Sequence, residues 1–393
     1  MRKIILTIVM VAFMAEIASA GWTQVNTDGF GDINNAWAGP MAVFDGNMYA
    51  GTENSVTGGE IWASSDGTTW SQANTDGFGD SGNVRAGLPL VVFNGYLYAS
   101  TINVDGGEIW RTSDGGSWTQ VCDNGFEDPN NRRVLSAVVF GGYLYAGTRN
   151  GAYGGQVWRT SNGTTWNQVS NNGFGDPINI KTTPLVVFNG YLYAGTENPN
   201  TGAEVWRTSN GTSWTQVNVD GFGDVKNDRV IPVAGMAVLD NYLYVGTRNS
   251  FTGGEVWRTS DGTTWTQANT DGFGNNKNIR AIPFVVFNGY LYAGTENYNT
   301  GGEVWRTSNG TTWTQVGYSG LGNYNSRIAA GVVFNDRIYV GTINPPGGEV
   351  LRSSPWQCFD TQPTMSQGNL NDDCIINLDD FKVIAGNWLL DGS

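Results

Sequence analysis

The sequence predicts an all-β chain folded as a seven-bladed β-propeller and closed by its own N-terminal strand. Three observations carry this. Tryptophans recur at Trp22, Trp70, Trp118, Trp166, Trp214, Trp265 and Trp313, in steps of 48 residues with one step of 51; a period of that length marks a solenoid or a propeller. Each repeat holds four short segments rich in β-branched and aromatic residues, LPLVVF, YLYAGT, GGEIWRTS and SWTQV in the second copy, and four strands per unit is the blade of a propeller. The copy beginning at Arg327 has no good fourth segment, whereas GWTQVN at residues 21–26 is a fourth segment with nothing before it. Pairing the two ends completes the last blade and removes an exposed sheet edge. SSPWQCF from residue 353 competes for that place, but Pro355 makes it the poorer strand.

Before the repeats, residues 1–20 carry Arg2 and Lys3, an apolar run from Ile4 to Ala15, then Ala18-Ser19-Ala20, the order of a secretory signal peptide. The mature chain is expected to begin at Gly21 and to be secreted or held at the cell surface. No later run approaches the ~20 apolar residues of a membrane helix, so no membrane span is expected. The net charge of -14 becomes -15 once Arg2, Lys3 and Glu16 are removed, which argues against nucleic acid and anionic membranes as partners. The absence of histidine excludes Ser-His triads and histidine-ligated zinc or copper. Any catalysis would run on carboxylates or tyrosine.

Within each unit the connections alternate in kind. Asn94-Gly95, Asn189-Gly190 and Asn288-Gly289 join the first and second strands, and Asp66-Gly67, Asn162-Gly163 and Asp261-Gly262 join the third and fourth; both pairs favour the positive φ of a two-residue hairpin. The other two connections are long, as in TENSVTGGE and NTDGFGDSGNVR. In an up-and-down meander these fall at opposite ends, so one face carries the tight turns and the other the long loops able to bind a ligand. The glycines of the DGFGD loops, at Asp28–Asp32, Asp76–Asp80 and Asp220–Asp224, are read as serving a turn, with calcium the competing use of the aspartates.

SDGTTW resembles the Asp-box of sialidases and related propellers, one residue shorter between aspartate and tryptophan, and the YLYAGT and VW patterns are kelch-like. The resemblance covers residues 21–353. It implies the propeller fold and assigns the box to a structural hairpin away from any active site. A sialidase also needs three unlike arginines around a tyrosine nucleophile, and here the arginines stand at equivalent repeat positions.

Two rows lie at the long-loop face. A basic residue precedes the first strand at Arg85, Arg133, Lys181, Arg229, Arg280 and Arg327, with Trp37 in the first unit, and Glu60, Glu108, Gln156, Glu204, Glu255, Glu303 and Glu349 open the third strand. Their repetition suggests ion pairs that tie the blade tops together. Binding needs asymmetry, so departures from the repeat are better candidates. The residue after the YAGT threonine is Glu53, Ile102, Arg149, Glu197, Arg248, Glu296 and Ile343 in turn, and loop aromatics occur irregularly at Trp37, Tyr153, Phe251 and Tyr298. Exposed aromatics beside carboxylates and arginines suit sugar rings. The candidate binding face is Trp37, Arg85, Arg149, Tyr153, Glu197, Arg248, Phe251, Glu296 and Tyr298, with no catalytic residue assigned.

After a linker at residues 354–367, residues 368–393 contain GNLNDDCIINLDDFKVIAGNWLL. This resembles one half of a type I dockerin, an EF-hand variant loop followed by a helix. The resemblance places calcium ligands at Asn369, Asn371, Asp373, Ile375 through its carbonyl, Asn377 and Asp380. Cys374 stands where glycine makes the turn and only two ligands are carboxylates, so weak calcium binding is expected. Cys358 and Cys374 are the favoured disulfide of the three cysteines; Cys122 occupies a position held elsewhere by Asn26, Asn74, Ser170, Asn218, Asn269 and Gly317 and reads as drift.

The expected function is a secreted, monomeric, non-catalytic binding or scaffold protein for polysaccharide or a cell-surface component, with a cohesin-like partner for the tail. The alternatives are a carboxylate-based glycoside hydrolase and a protein-binding adhesion protein.

Overall fold

The computed structural model describes residues 21–354 apart from Val233, Pro345 and Pro346. The expected signal peptide, the linker, the rival strand at Pro355, the expected calcium loop from Asn369 to Asp380 and the expected Cys358–Cys374 bridge lie outside the described residues.

Each unit is an antiparallel meander. In the second, Arg85–Phe93 pairs with Tyr96–Ile102, which pairs with Ile109–Thr112, which pairs with Thr119–Cys122. Asn94 and Gly95 both take positive φ, 49° and 76°, as a two-residue hairpin requires. The second strand is buried on both faces, from Leu97 to Ile102, because sheets stack against it from either side. Each core therefore lies between neighbouring units: Phe44, Tyr49 and Ile61 of one unit pack with Ala86, Leu97 and Ala99 of the next.

The third-to-fourth connection differs from the expected two-residue turn. Ile61–Ser64 and Ser71–Gln72 are separated by six residues, and only Gly67 takes positive φ. The loop is held by side chains. Asp66 Oδ1 accepts from the Thr68 and Thr69 amides, both at 2.7 Å, and Ser64 Oγ accepts from the Gly67 amide at 2.8 Å. Those amides hold the Asp66 carboxyl well below the usual range. SDGTTW thus makes a turn. Its glycine also meets the neighbouring unit: a Cβ on Gly67, at φ +78°, would collide with the Tyr339 hydroxyl.

The fourth strands are shorter than SWTQV suggests. In the first unit Asn74 Oδ1 accepts from the Ile61 amide at 2.6 Å, so a side chain replaces the next ladder bond. Cys122 has no such acceptor. There the backbone pairs instead, and the strand extends to Ile109 opposite Cys122.

First and second strands of successive units alternate around a closed ring of fourteen strands. The units meet through single bridging pairs, Glu53 with Arg85, Ile102 with Arg133, Arg149 with Lys181, Glu197 with Arg229, Arg248 with Arg280, Glu296 with Arg327, and Ile343 with Trp37. The N-terminal strand Trp22–Gln24 pairs with Val350–Ser353, Trp22 opposite Ser353. Its neighbour in the ring treats it as an ordinary fourth strand. Trp70 Nε1 donates to the Val25 carbonyl at 2.9 Å, as Trp118 does to Ala73 at 2.8 Å and Trp313 to Ala268 at 2.8 Å.

The 51-residue step has a location. Lys181–Phe188 is an unbroken first strand, whereas its counterpart is split into Arg229–Val230 and Met236–Leu239. The extra residues put Ile231 and Pro232 on the wall of the central cavity.

Candidate binding site at the channel mouth and loop face

Two opposing demands shape the long-loop face. Its loops carry many polar groups, and its inner strands bring like charges together. The glutamates that open the third strands do not pair with the basic row. Glu60 Oε2 accepts from Asn35 Nδ2 at 2.8 Å and Trp62 Nε1 at 2.6 Å, and Glu204 does the same with Asn179 and Trp206 at 2.8 and 2.7 Å. The tie between units expected of these glutamates is therefore a hydrogen-bonded network. Its hub is an asparagine row absent from the predicted site: Asn35, Asn83, Asn131, Asn179, Asn227, Asn278 and Asn325, each fully buried. Recurrence at the same repeat position was the available signal.

The same network uses the DGFGD aspartates. Asp32 Oδ1 accepts from the Asn34 amide and Oδ2 from Asn54 Nδ2, both at 2.9 Å. Gly29 and Phe30 both take positive φ, 56° and 59°, which costs a phenylalanine free energy. Stacking on Trp62 at 4.9 Å and edge contact with Trp70 at 5.3 Å offset it.

The basic row does form ion pairs, with the residues that follow the YAGT threonines. Arg85 pairs with Glu53, Lys181 and Arg229 both pair with Glu197, and Glu296 holds Arg280 at 2.9 Å and Arg327 at 3.2 Å. Arg248 pairs with Asp228 at 2.7 Å. Among the described residues Arg133 and Arg149, opposite each other across a hairpin, have no ion pair.

Electrostatics follow from this geometry. Burial alone would raise the Glu197 pKa, but Lys181 and Arg229 outweigh it and draw the carboxyl to about 2. Glu296 is lowered in the same way, Arg327 and Arg280 overcoming burial. Burial, then the Arg229 charge, brings Lys181 down to about 7. Burial and Arg327 bring Arg280 to about 9.

Lys181 gives a pH test. A base whose folded pKa is depressed leaves the unfolded chain holding more protons between the two values, so stability rises with pH across that window. The wild type is expected to gain in Tm over Lys181→Met as pH rises from 7 to 9.5. Parallel curves would show that the amine titrates normally.

Of the nine predicted site residues, Arg85, Glu197 and Glu296 belong to the inner ring; Arg149 and Arg248 stand opposite Lys181 and Arg280. Tyr153, Phe251 and Tyr298 are exposed on their loops at 56%, 66% and 61%. Phe251 lies under Lys226 at 4.9 Å, and the Tyr298 hydroxyl donates to Glu296. Trp37 is a correction. It is buried, with the Arg85 guanidinium 4.1 Å above its ring, because the first-strand position it occupies faces the channel rather than solvent. It offers no platform for a sugar.

The chain matches no protein-family profile and no curated protein. Among solved structures, the WD40 β-propeller domain of Doa1 superposes with a TM-score of 0.54 at 11% identity, over 84% of this chain and 97% of that one. YCF48 bound to D1 peptide superposes at 0.50 and 13% identity, over 84% and 94%. The fold is a β-propeller. Trypanosoma rangeli sialidase aligns at 0.44 and 14% identity over 67% of this chain, which spans 53% of the sialidase and, likewise, 42% of a prolyl endopeptidase. Among the described residues, no helix of the propeller is long and apolar enough to cross a membrane.

Proposed function

We propose that the protein is an exported seven-bladed propeller, its last blade finished by the N-terminal strand, which binds its ligand without transforming it. The ligand class is polysaccharide or another cell-surface component, engaged by the long-loop face. The dockerin-like tail would add calcium-dependent attachment to a cohesin-like partner.

One observation supports binding over hydrolysis. Glycoside hydrolysis needs two carboxylates facing one bond, one of them free to give a proton. Here the conspicuous carboxylates are committed: Glu204 to Asn179 and Trp206, Glu197 and Glu296 to two cations each. Beside the loop carboxylates that remain, such as the exposed Asp105 and Glu127, stand the exposed aromatics Tyr153, Phe251 and Tyr298, the equipment for holding a sugar.

A glycan-array screen with and without calcium, run beside a hydrolysis panel of the same polysaccharides, tests this. Binding without turnover, weakened about tenfold or more by Tyr298→Ala or Phe251→Ala, is the expected result. Turnover abolished by substituting one loop carboxylate would overturn it.

A further inference from the structure

At the mouth of the central channel, a cavity of about 150 Å³ is walled by the cationic row, with Trp37, Leu135, Ile231, Pro232 and Ile282 between. The channel mouth and its bridging pairs bring together eight cationic side chains, the six of the row with Arg149 and Arg248, against the four carboxylates Glu53, Glu197, Asp228 and Glu296. A surplus of positive charge is thus gathered at the centre of a chain whose net charge is -14.

Hydrogen bonding is incomplete there as well. Arg85 Nε, Arg229 Nε, Arg327 Nε and Trp37 Nε1 are buried donors with no partner among the described residues, and buried donors are almost always satisfied by protein, water or ligand. Arg133, on the same wall, adds a guanidinium without an ion pair, and Arg149 stands opposite it on the next strand. Donors arriving from several sides of one small cavity match an acceptor that presents oxygens in several directions. That describes a tetrahedral oxyanion better than a planar carboxylate.

We propose that the channel mouth is a binding site for a sulfate-type tetrahedral oxyanion, either the free ion or an ester group carried by a glycan, with Arg133 as its principal unpaired contact. Burial first, and then the charge of neighbouring cations, depresses the basicity of Arg85, Arg133, Lys181 and Arg280; the second contribution is repulsion that such an anion relieves. Chloride carries less charge and offers one small centre rather than four separated oxygens, so it cannot reach donors on several walls at once.

The test is calorimetric titration of the full-length protein with millimolar sulfate at fixed ionic strength, with chloride and acetate as controls. One equivalent of sulfate is expected to bind, with a Tm increase absent from the controls. Arg133→Gln should weaken binding at least tenfold while leaving Tm in chloride unchanged or higher, since it removes a repelled charge; Arg133→Lys should retain part of the affinity. Should Arg133→Gln fail to fold, Arg327→Gln, on the same cavity wall, serves in its place. Equal responses to sulfate and chloride, or undiminished binding in a folded Gln variant, would overturn the site. A sulfated oligosaccharide that competes with free sulfate, where its desulfated form does not, identifies the ester as the source. Free sulfate needs no glycan to bind, so failure of that arm alone counts against the polysaccharide reading and leaves the anion site standing.

Discussion

Deletion of residues 21–26 from a chain lacking residues 1–20 is expected to lower Tm by more than 10 °C in a calorimetric scan, and Trp22→Ala by a lesser but still large amount. Trp22 is 1% exposed and packs with Leu321, Leu351, Val316 and Val304. Truncating a buried tryptophan costs about 3–5 kcal/mol, and about 1 kcal/mol corresponds to 2–4 °C for domains somewhat smaller than this. The deletion removes more than a side chain. It leaves Val350–Ser353 as a raw edge, takes away the carbonyl of Val25 that Trp70 uses, and removes Asn26 Oδ1, which accepts from the Val350 amide at 2.7 Å. Two neighbouring blades lose their tie at once. An unchanged melt would mean that the ring does not depend on this strand.

The second large effect concerns the buried asparagines. Asn179→Asp is expected to destabilise the protein by about 3–5 kcal/mol at pH 7, the usual cost of an uncompensated buried charge. Asn179 Nδ2 donates to the Gly173 carbonyl at 2.9 Å and to Glu204 at 2.8 Å, while Oδ1 accepts from Asn198 at 3.1 Å. Aspartate abolishes both donations and sets a second carboxylate against one whose pKa burial already raises. The sign of the pH dependence follows. A carboxyl whose folded pKa lies above its unfolded value stabilises below the unfolded value and loses that contribution as pH rises, so the variant should recover stability between pH 7 and about 4.5. Denaturation at the two pH values, against Asn179→Ala, measures it. A deficit independent of pH would show that Glu204 is not the neighbour that matters.

Repetition made most of the architecture legible. The period placed the units, Asn94-Gly95 and its equivalents placed the first hairpins, and the orphan GWTQVN announced the partner of Val350–Ser353. What the residues did not announce was which side chains replace backbone. Asp66-Gly67 has the composition of a two-residue turn, yet Ser64 and Asp66 cap a longer loop; Asn74 ends a strand early by accepting the Ile61 amide. Local propensity cannot register these exchanges, because each depends on a partner across the strand pair.

At the candidate site the rows were visible and their partners were not. Glu60 and its equivalents looked like mates for the basic row because charge invites charge, but the third strand carries them to Asn35 and Trp62. The true mates were the irregular residues Glu53, Glu197 and Glu296, whose value depends on the bridging register between blades. Trp37 was misjudged for a related reason. A loop-like position in the sequence became an inward position once Trp37 was paired with Ile343. Three inserted residues after Val230 were legible as a count and silent as to place.

The bond between Asn26 and Val350 spans 324 positions, and this sets the order in which the molecule comes into being. Trp22–Gln24 has no partner until Val350–Ser353 has been made, so a polypeptide interrupted between them is left with an unfinished circumference. Closure is thereby deferred to one event, the meeting of Trp22–Gln24 with Val350–Ser353.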